Sequence, residues 1–231
     1  MIKIVGLGPS TSGRISMGAY RAIRCAPVVF VRTARHPAAD DLAAEGVVFE
    51  SMDPIYDSAE TFEEVYHAIA QRVLETGESG DVVYAVPGHP LAGEKAVGII
   101  IAEAKARNIP LEIIGSESFM EASLEALEIG FDTGIKIIDA LSMNRVHPDP
   151  EVGNLIYQVY DRQIASEVKL SLMERYADDF EVTVVSGAGT SDQRVTRVPL
   201  FRLDRCECDH LTTVYVPKDS GFGIQDSGPE S

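Results

Sequence analysis

Three short segments of the chain carry residue types that could bind a small ligand. The first is Gly6-Leu7-Gly8-Pro9, which directly follows an apolar run. Glycines at such a place permit a tight turn and let a ligand approach the backbone closely. A dinucleotide fingerprint would require a further glycine where this chain has Thr11. A dinucleotide-dependent reductase is therefore disfavoured, although this segment alone decides nothing.

The second segment, Pro87-Gly88-His89-Pro90, closes another apolar run. Proline cannot continue a central strand and is favoured in the first turn of a helix, so we expect a sharp turn with exposed backbone groups. A rigid loop at the end of a strand suits ligand binding better than core packing. His89 could act as a general base, but a structural hydrogen bond is the commoner role of a loop histidine.

The third segment, Ser116-Glu117-Ser118-Phe119, opens a predicted helix. Its hydroxyl groups could cap the free N–H groups of the first helical turn, or they could contact a ligand. The sequence favours neither alternative.

Other kinds of active site find no support in the sequence. The five histidines share no metal-ligand spacing, and Cys206-Glu207-Cys208 has no second cysteine pair, so we predict no bound metal. The chain also lacks a phosphate-binding Gly-Lys-Ser/Thr loop and a nucleophile elbow. No catalytic acid or base can be assigned from these patterns.

Strands and helices alternate along the first half of the chain. Apolar runs predict strands over 2–5, 28–31, 47–50, 81–86 and 110–114. The spacing of apolar residues predicts helices over 16–25, 58–76 and 91–107. Such alternation implies a mostly parallel sheet that is covered on both faces.

The order of elements changes beyond residue 115. Helices are predicted over 119–127 and 162–176, and strands over 134–138, 154–159, 181–185, 195–203 and 210–216. The last three strands follow one another closely, which indicates an antiparallel component. We therefore predict an N-terminal α/β domain over 1–115 and a C-terminal α/β domain over 116–217. The polar, Gly-rich residues 218–231 are predicted to be a disordered tail or a linker.

The composition is typical of a soluble globular protein: of 231 residues, 45% are hydrophobic and 24% are charged. No apolar run is long enough to cross a bilayer, and the N-terminus leads into a predicted strand without the zones of a signal peptide. The three cysteines form no disulfide framework, so we expect a cytoplasmic protein. A net charge of -16 argues against nucleic-acid binding. An anionic ligand would require local cations such as Arg14, Arg32 and Arg35.

Taken in order, these segments resemble the tetrapyrrole methylases over nearly the whole chain. The loop 6–9 resembles the family's Gly-x-Gly-Pro-Gly, with Ser10 in place of the last glycine. The loop 87–90 resembles its Pro-Gly-Asp-Pro, with His89 in place of aspartate, and residues 118–119 fall where the family has Gly-x-Ser-Ser/Thr. The match is closer still to the methylase-like domain fused to MazG-type nucleotide pyrophosphohydrolases, in which Gly-His-Pro is usual.

The resemblance implies a tetrapyrrole-methylase-like fold of two α/β domains with mixed sheets and a ligand cleft between them. It further implies S-adenosylmethionine as the methyl donor, a small-molecule acceptor and a homodimer. A MazG-type pyrophosphohydrolase domain or partner is also expected outside this chain, because the hydrolase's helical Glu-Glu-x-x-Glu pattern is absent here. The residues that the resemblance assigns to the donor are Pro9, Gly88, His89 and Ala92 in the first domain, Ser118 and Phe119 at the hinge, and Gln158 and Val159 in the second domain.

Two hypotheses of function follow from the resemblance. The first is an S-adenosylmethionine-dependent methyltransferase whose acceptor is unidentified. The alternative is a non-catalytic S-adenosylmethionine-binding regulatory domain associated with a nucleotide pyrophosphohydrolase. Methyl transfer is an in-line displacement whose reactive group belongs to the cofactor, so the protein mainly has to align the reactants. The lack of an acid–base constellation is consistent with this chemistry.

Overall fold

The computed structural model describes residues 1–132 and 134–219. The described chain forms two compact units, one from Met1 to Ala122 and the other beginning at Ser123. The boundary predicted near residue 115 precedes this division, and residues 220–231 of the predicted tail lie outside the described residues. No helix within the described ranges combines the length and the apolar character that crossing a membrane requires.

The first unit contains a five-stranded sheet. Its strands are β1 (Ile2–Gly6), β2 (Val29–Val31), β3 (Glu50–Ser51), β4 (Val82–Val86) and β5 (Leu111–Ile114). They lie in the order β3-β2-β4-β1-β5, and their pairings are parallel. Because the strands run in one direction, the loops that follow them meet at one edge of the sheet. The three segments singled out in the sequence follow β1, β4 and β5.

Helices cover both faces of this sheet. They are α1 (Met17–Cys25), α2 (Pro37–Ala44), α3 (Asp53–Ser58), α4 (Phe62–Ser79) and α5 (Lys95–Ala106). On β4, Val82, Tyr84 and Val86 pack with α4 and α5, whereas Val83 and Ala85 pack with α1 and α2 on the other face. This strand is apolar throughout because both of its faces are buried, as predicted for a covered parallel sheet.

Helices α4 and α5 both begin a few residues later than predicted, for reasons that lie in their first residues. Helix α4 begins at Phe62 rather than near residue 58, because the Thr61 Oγ accepts the N–H of Glu64 and the Glu64 carboxylate accepts the N–H of Thr61. Helix α5 begins at Lys95, because residues 91–94 complete the preceding loop. Helices α2 and α3 are too short to show apolar periodicity, although each has a proline in its first turn.

The second unit contains a mixed sheet. Its strands are β6 (Ile135–Asp139), β7 (Gly153–Tyr157), β8 (Glu181–Ser186), β9 (Arg194–Pro199) and β10 (Thr212–Val216), in the order β6-β7-β10-β8-β9. The pair β6–β7 is parallel, and the pairs β7–β10, β10–β8 and β8–β9 are antiparallel. The predicted antiparallel component therefore belongs to this second sheet.

Two helices complete the second part of the chain. Helix α6 (Phe119–Leu127) has the bounds predicted from the sequence, and the division between the units falls within it. Helix α7 (Arg162–Met173) packs its apolar face into the core of the second unit. The run predicted as a strand over 195–203 divides into β9 and a 3-10 helix over Leu200–Arg205. Leu200 and Leu203 are both buried in the 3-10 helix, so the apolar residues at the end of this run pack in the core without forming a strand.

Candidate functional site

The loops after β1 and β4 are joined through their backbones. Gly8 donates its N–H to the carbonyl oxygen of Gly88 at 3.2 Å, and Gly88 donates its N–H to the carbonyl oxygen of Gly8 at 2.8 Å. The N–H of Leu7 continues this pairing with the carbonyl oxygen of Val86 at 2.8 Å. Gly8 and Gly88 have left-handed φ angles of 74° and 63°, which glycine adopts without strain. The first two segments therefore form one structure.

The glycines of these joined loops differ in what surrounds them. A Cβ added at Gly6 would lie 2.4 Å from the carbonyl oxygen of Gly88, and one added at Gly8 would lie 2.5 Å from that of Arg14. Both glycines are thus required for close packing. At Gly88, no atom of the described residues other than its chain neighbours lies within 4 Å of such a Cβ. A ligand can therefore approach the loop backbone at Gly88.

Ser116 fastens the segment after β5 to the first loop. Its hydroxyl donates to the carbonyl oxygen of Gly6 at 2.7 Å and accepts the N–H of Ser16 at 2.9 Å. Ser16 in turn donates to the carbonyl oxygen of Gly115 at 2.7 Å, and it caps α1 by accepting the N–H of Ala19 at 3.2 Å. All three segments are thereby brought together at the carboxyl edge of the parallel sheet.

Ser118 caps helix α6. Its Oγ accepts the N–H of Met120 at 3.1 Å, and the carboxylate of Glu121 accepts both the Ser118 hydroxyl and, at 2.9 Å, the Ser118 N–H. Burial acts to raise the pKa of Glu121, but hydrogen bonds led by that from the Ser118 side chain lower it overall. Capping is the role that the structure shows for Ser118, whereas its contact with a donor stays a prediction.

The imidazole of His89 is part of the architecture of its loop. Its Nδ1 accepts the N–H of Leu91 at 3.1 Å, and the His89 carbonyl oxygen accepts the N–H of Ala92 at 2.9 Å. The ring lies against Gly115, where an added Cβ would be 2.4 Å from Nε2. An aspartate carboxylate can also accept the N–H two residues ahead of it. The histidine therefore fills a turn-forming role that an aspartate could fill as well.

The other residues predicted for the first unit lie on the same segments. Pro9 follows Gly8 and is half-buried, Ala92 closes the turn that begins at His89, and Phe119 is the first residue of α6. The structure thus places these predicted residues on the joined loops and on the segment after β5. Their contact with a donor stays a prediction.

Gln158 and Val159 follow strand β7 in the second unit. Gln158 has a φ of 63°, a left-handed conformation that costs a residue with a side chain about 1–2 kcal/mol. Such strained residues concentrate at functional sites. Val159 is fully buried, and its side chain packs in the core of this unit. Its side chain is thus occupied by packing, which leaves its backbone for the predicted contact.

Comparison with known proteins assigns the chain to a family. Residues 1–204 match the family model of the Tetrapyrrole (Corrin/Porphyrin) Methylases. The chain belongs to this family. A curated relative, the uncharacterized protein YabN of Bacillus subtilis (strain 168), is 37% identical over 217 residues, which are 94% of this chain and 44% of that protein. The chain therefore spans less than half the length of this relative.

Solved structures share the fold of this tetrapyrrole methylase family member. The uroporphyrin-III-C-methyltransferase of Thermus thermophilus is 17% identical, with a TM-score of 0.73 over 95% of this chain and 93% of the other. The cobalt precorrin-4 methyltransferase CbiF is 17% identical, with a TM-score of 0.69 over 94% of each chain. Diphthine synthase is 16% identical, with a TM-score of 0.67 over 94% of this chain and 89% of the other. At these identities the likeness establishes the fold.

A partly buried ion pair beside the second loop carries no sequence motif. Arg32 follows β2 and pairs with Glu94 just before α5, with 3.4 Å between Nε and Oε2. Burial raises the pKa of Glu94, whose side chain is 11% exposed, and the charge of Arg32 opposes that rise. The Arg32 guanidinium also lies 5.7 Å from the ring centroid of Tyr56. The nearby Tyr84 hydroxyl is buried and has no hydrogen-bond partner among the described residues.

His36 supports the first loop from the start of α2. Its Nδ1 accepts the N–H of Ala38 at 3.3 Å. Burial lowers the pKa of His36, and the nearby backbone of Gly8 opposes this only in part. The His36-Pro37 pair marks the start of a helix and can be recognised in the sequence. The proximity of His36 to Gly8 cannot, because the two residues are far apart along the chain.

Proposed function

We propose that this protein binds S-adenosylmethionine at the joined loops of the first unit and transfers its methyl group to a small-molecule acceptor. The observation that carries the proposal is the accessible backbone of Gly88, held in place by its paired hydrogen bonds with Gly8. Membership of a family of methylases supports it. The loops also stand at the carboxyl edge of a parallel sheet, where α/β proteins commonly bind ligands.

The residues of these loops fit such a donor. The open space at Gly88 is space that a Cβ would otherwise fill, so the ligand can meet the backbone directly. Pro9, Ala92 and Phe119 would add apolar surface around it, as small-molecule sites usually have. Gln158 and Val159 remain proposed contributors from the second unit.

The chain's own part in the reaction is to bind and to orient. Bound S-adenosylmethionine supplies an electrophilic methyl group at its sulfonium centre. The mutual hydrogen bonds of Gly8 and Gly88, together with the Ser116 anchor, fix the loops before the donor arrives. A preorganised loop loses little conformational entropy on binding. Alignment of two reactants of this kind can contribute about 7–11 kcal/mol to the lowering of the barrier.

The replacement of the family's aspartate by His89 motivates the alternative, a non-catalytic regulatory domain that binds the donor on behalf of a nucleotide pyrophosphohydrolase. His89 accepts the N–H of Leu91, which closes a turn in this loop. Both hypotheses require a bound donor, so this bond does not separate them, and we favour the methyltransferase because the chain belongs to a family of methylases. Three further proposals rest on the family resemblance and the composition: a homodimer, a MazG-type pyrophosphohydrolase domain or partner, and a cytoplasmic location.

Calorimetric titration tests the proposed donor site. S-adenosylmethionine and its demethylated product are expected to bind with micromolar affinity, whereas NADPH is not. At a hundredfold excess over its Kd, the donor should raise the free energy of unfolding by about 2.7 kcal/mol. Tight NADPH binding without donor binding would overturn the proposal. Methyl transfer to any member of an acceptor panel that includes porphyrinogens would then favour the enzyme over the regulatory domain.

A further inference from the structure

A groove on the second unit gathers positive charge although the whole chain has a net charge of -16. The groove has a volume of about 600 Å³, and the basic side chains that line it are Lys136, Arg145, His147 and Arg175. Lys136, Arg145 and Arg175 form no ion pair with any residue in the ranges 1–132 and 134–219. Three cations from separate elements therefore face one space, and none of them is in an ion pair within the described ranges.

The sheet register places this groove at the start of β7. Lys136 on β6 pairs with Asn154 on β7, and Val216 at the end of β10 pairs with the same residue from the other side. The connection that leads into β7 supplies residues 145–151, and Arg175 follows α7. Gln158 and its neighbour follow the opposite end of β7. The groove is thus separate from the residues assigned to the methyl donor in this unit.

A buried asparagine holds the walls of the groove in place. The two N–H groups of the Asn154 amide are shared among three acceptors, the carbonyl oxygens of Asp149 at 2.8 Å and Val152 at 3.0 Å and the Tyr176 hydroxyl at 3.2 Å. Its Oδ1 accepts the N–H of Asp149 at 2.8 Å. Asn154 is fully buried, so these bonds are shielded from water. They fix both the loop before β7 and the residue next to Arg175, and the groove is therefore preformed.

Two carboxylates also line the groove. The Asp149 Oδ1 accepts the N–H of Glu151 at 3.0 Å and is committed to that turn, while the Glu151 side chain is exposed. Burial, followed by the charges of Asp149 and Asp219, raises the pKa of Tyr176 to about 12, so this phenol stays neutral near pH 7. Three cationic side chains line the groove with these two carboxylates, and Asp219 lies beside it, where its N–H donates to the carbonyl oxygen of Pro150 at 2.9 Å. Cations are therefore concentrated here relative to the whole chain, in which 36 acidic residues outnumber 20 basic ones.

We propose that this groove binds a phosphate-bearing small molecule through Arg145 and Arg175, with Lys136 as a third cation. An arginine guanidinium stays charged at all ordinary pH values, and its planar fork matches the oxygen atoms of a phosphate. The volume falls within the range of about 300–1,000 Å³ that is usual for small-molecule sites. The inference does not depend on the proposed methyl transfer, because it uses other residues in another part of the chain.

Calorimetric titration with sodium pyrophosphate at low ionic strength tests the proposal. Wild-type protein is expected to bind pyrophosphate saturably at a single site per chain. The double variant R145A/R175A should bind about tenfold more weakly, because it loses charge-assisted hydrogen bonds. The matched control R197A/R205A removes two exposed arginines elsewhere in the second unit and changes the net charge equally. It should bind like wild type, with circular dichroism as the folding control for both variants.

Two results would overturn the assignment of the groove. One is the absence of saturable binding to wild-type protein. The other is an equal weakening in both double variants, because affinity would then follow overall charge rather than the groove. A second measurement uses wild-type protein alone: pyrophosphate should shift the side-chain NMR resonances of His147 and Lys136. Resonances that do not move at saturating pyrophosphate would also contradict the proposal.

Discussion

The imidazole of His89 lies against the Cα of Gly115, so close that a Cβ at that position would be 2.4 Å from Nε2. The contact joins the loop after β4 to the segment after β5, and the same ring accepts the N–H of Leu91. Because Gly115 has no side chain, there is room beside it for the His89 ring. The two positions should be energetically coupled.

The first prediction measures this coupling. Gly115→Ala should destabilise the protein by about 1–3 kcal/mol, as overpacking of a tight contact usually does. Gly115 is not in a left-handed conformation, so backbone strain should not contribute. In a His89→Ala background the same substitution should cost much less, because the ring is gone. Urea unfolding of the four proteins in a double-mutant cycle gives the coupling energy. Equal costs in both backgrounds would mean that the ring moves aside freely.

The second prediction concerns the Ser116 anchor. Ser116→Ala leaves the Gly6 carbonyl oxygen and the Ser16 N–H without their partner, so it should lower the free energy of unfolding by about 1–3 kcal/mol. The control is Ser58→Ala, whose exposed hydroxyl donates only to the carbonyl oxygen of Ile55, and its effect should stay within about 0.5 kcal/mol. Urea unfolding measures both variants. A cost at Ser116 no larger than that at Ser58 would be evidence against an anchoring role.

The sequence predicts the fold best where a pattern is long or sharply bounded. Strand β4 is apolar throughout because both of its faces are covered, and helix α6 has the bounds that were predicted from its apolar spacing. Helices α2 and α3 escape prediction because one or two turns are too short to display a period. The prediction of a strand over 195–203 is wrong at its end, where residues from Leu200 form a 3-10 helix. Buried leucines at 200 and 203 are compatible with either conformation, so the apolar pattern could not separate them.

The candidate site could likewise be predicted only where its signals are local in the sequence. Each of its three segments carries a local signature of glycine, proline or serine, and all three are found at one edge of the sheet. The pairings between segments are not local. The hydrogen bond from Ser116 to Gly6 and the ion pair of Arg32 with Glu94 join residues far apart in the chain, and no residue type at either end specifies its partner.

The third prediction is a pH dependence at Glu94. Because burial raises the folded-state pKa of Glu94 above its ordinary value of 4.5, folding favours the protonated form. The stability that this preference contributes is complete below the unfolded-state pKa and is lost as the pH rises through the folded-state pKa. Glu94→Gln stays neutral, so it should gain stability relative to wild type as the pH rises from about 4 to about 7. Urea unfolding across this range measures the difference, and a difference that is constant or falls would contradict it.

The fourth prediction tests the accessible backbone at Gly88. Gly88→Val should weaken S-adenosylmethionine binding by about a hundredfold or more, because the side chain fills the space that the ligand needs. Valine is also strained at a φ of 63°, so a loss of binding in this variant has two causes. Gly88→Asn separates them. Asparagine tolerates the left-handed conformation better than valine, yet its side chain occupies the same space.

His89→Ala completes the comparison at this loop. The imidazole is engaged by the N–H of Leu91 and by the surface of Gly115, so its removal should weaken donor binding by less than about tenfold. Calorimetric titration with S-adenosylmethionine measures all three variants, and circular dichroism confirms that each is folded. Wild-type affinity in Gly88→Asn would show that this loop does not hold the donor. Complete loss of binding in His89→Ala alone would instead make the imidazole a direct ligand, because the loop backbone would then be insufficient to hold S-adenosylmethionine.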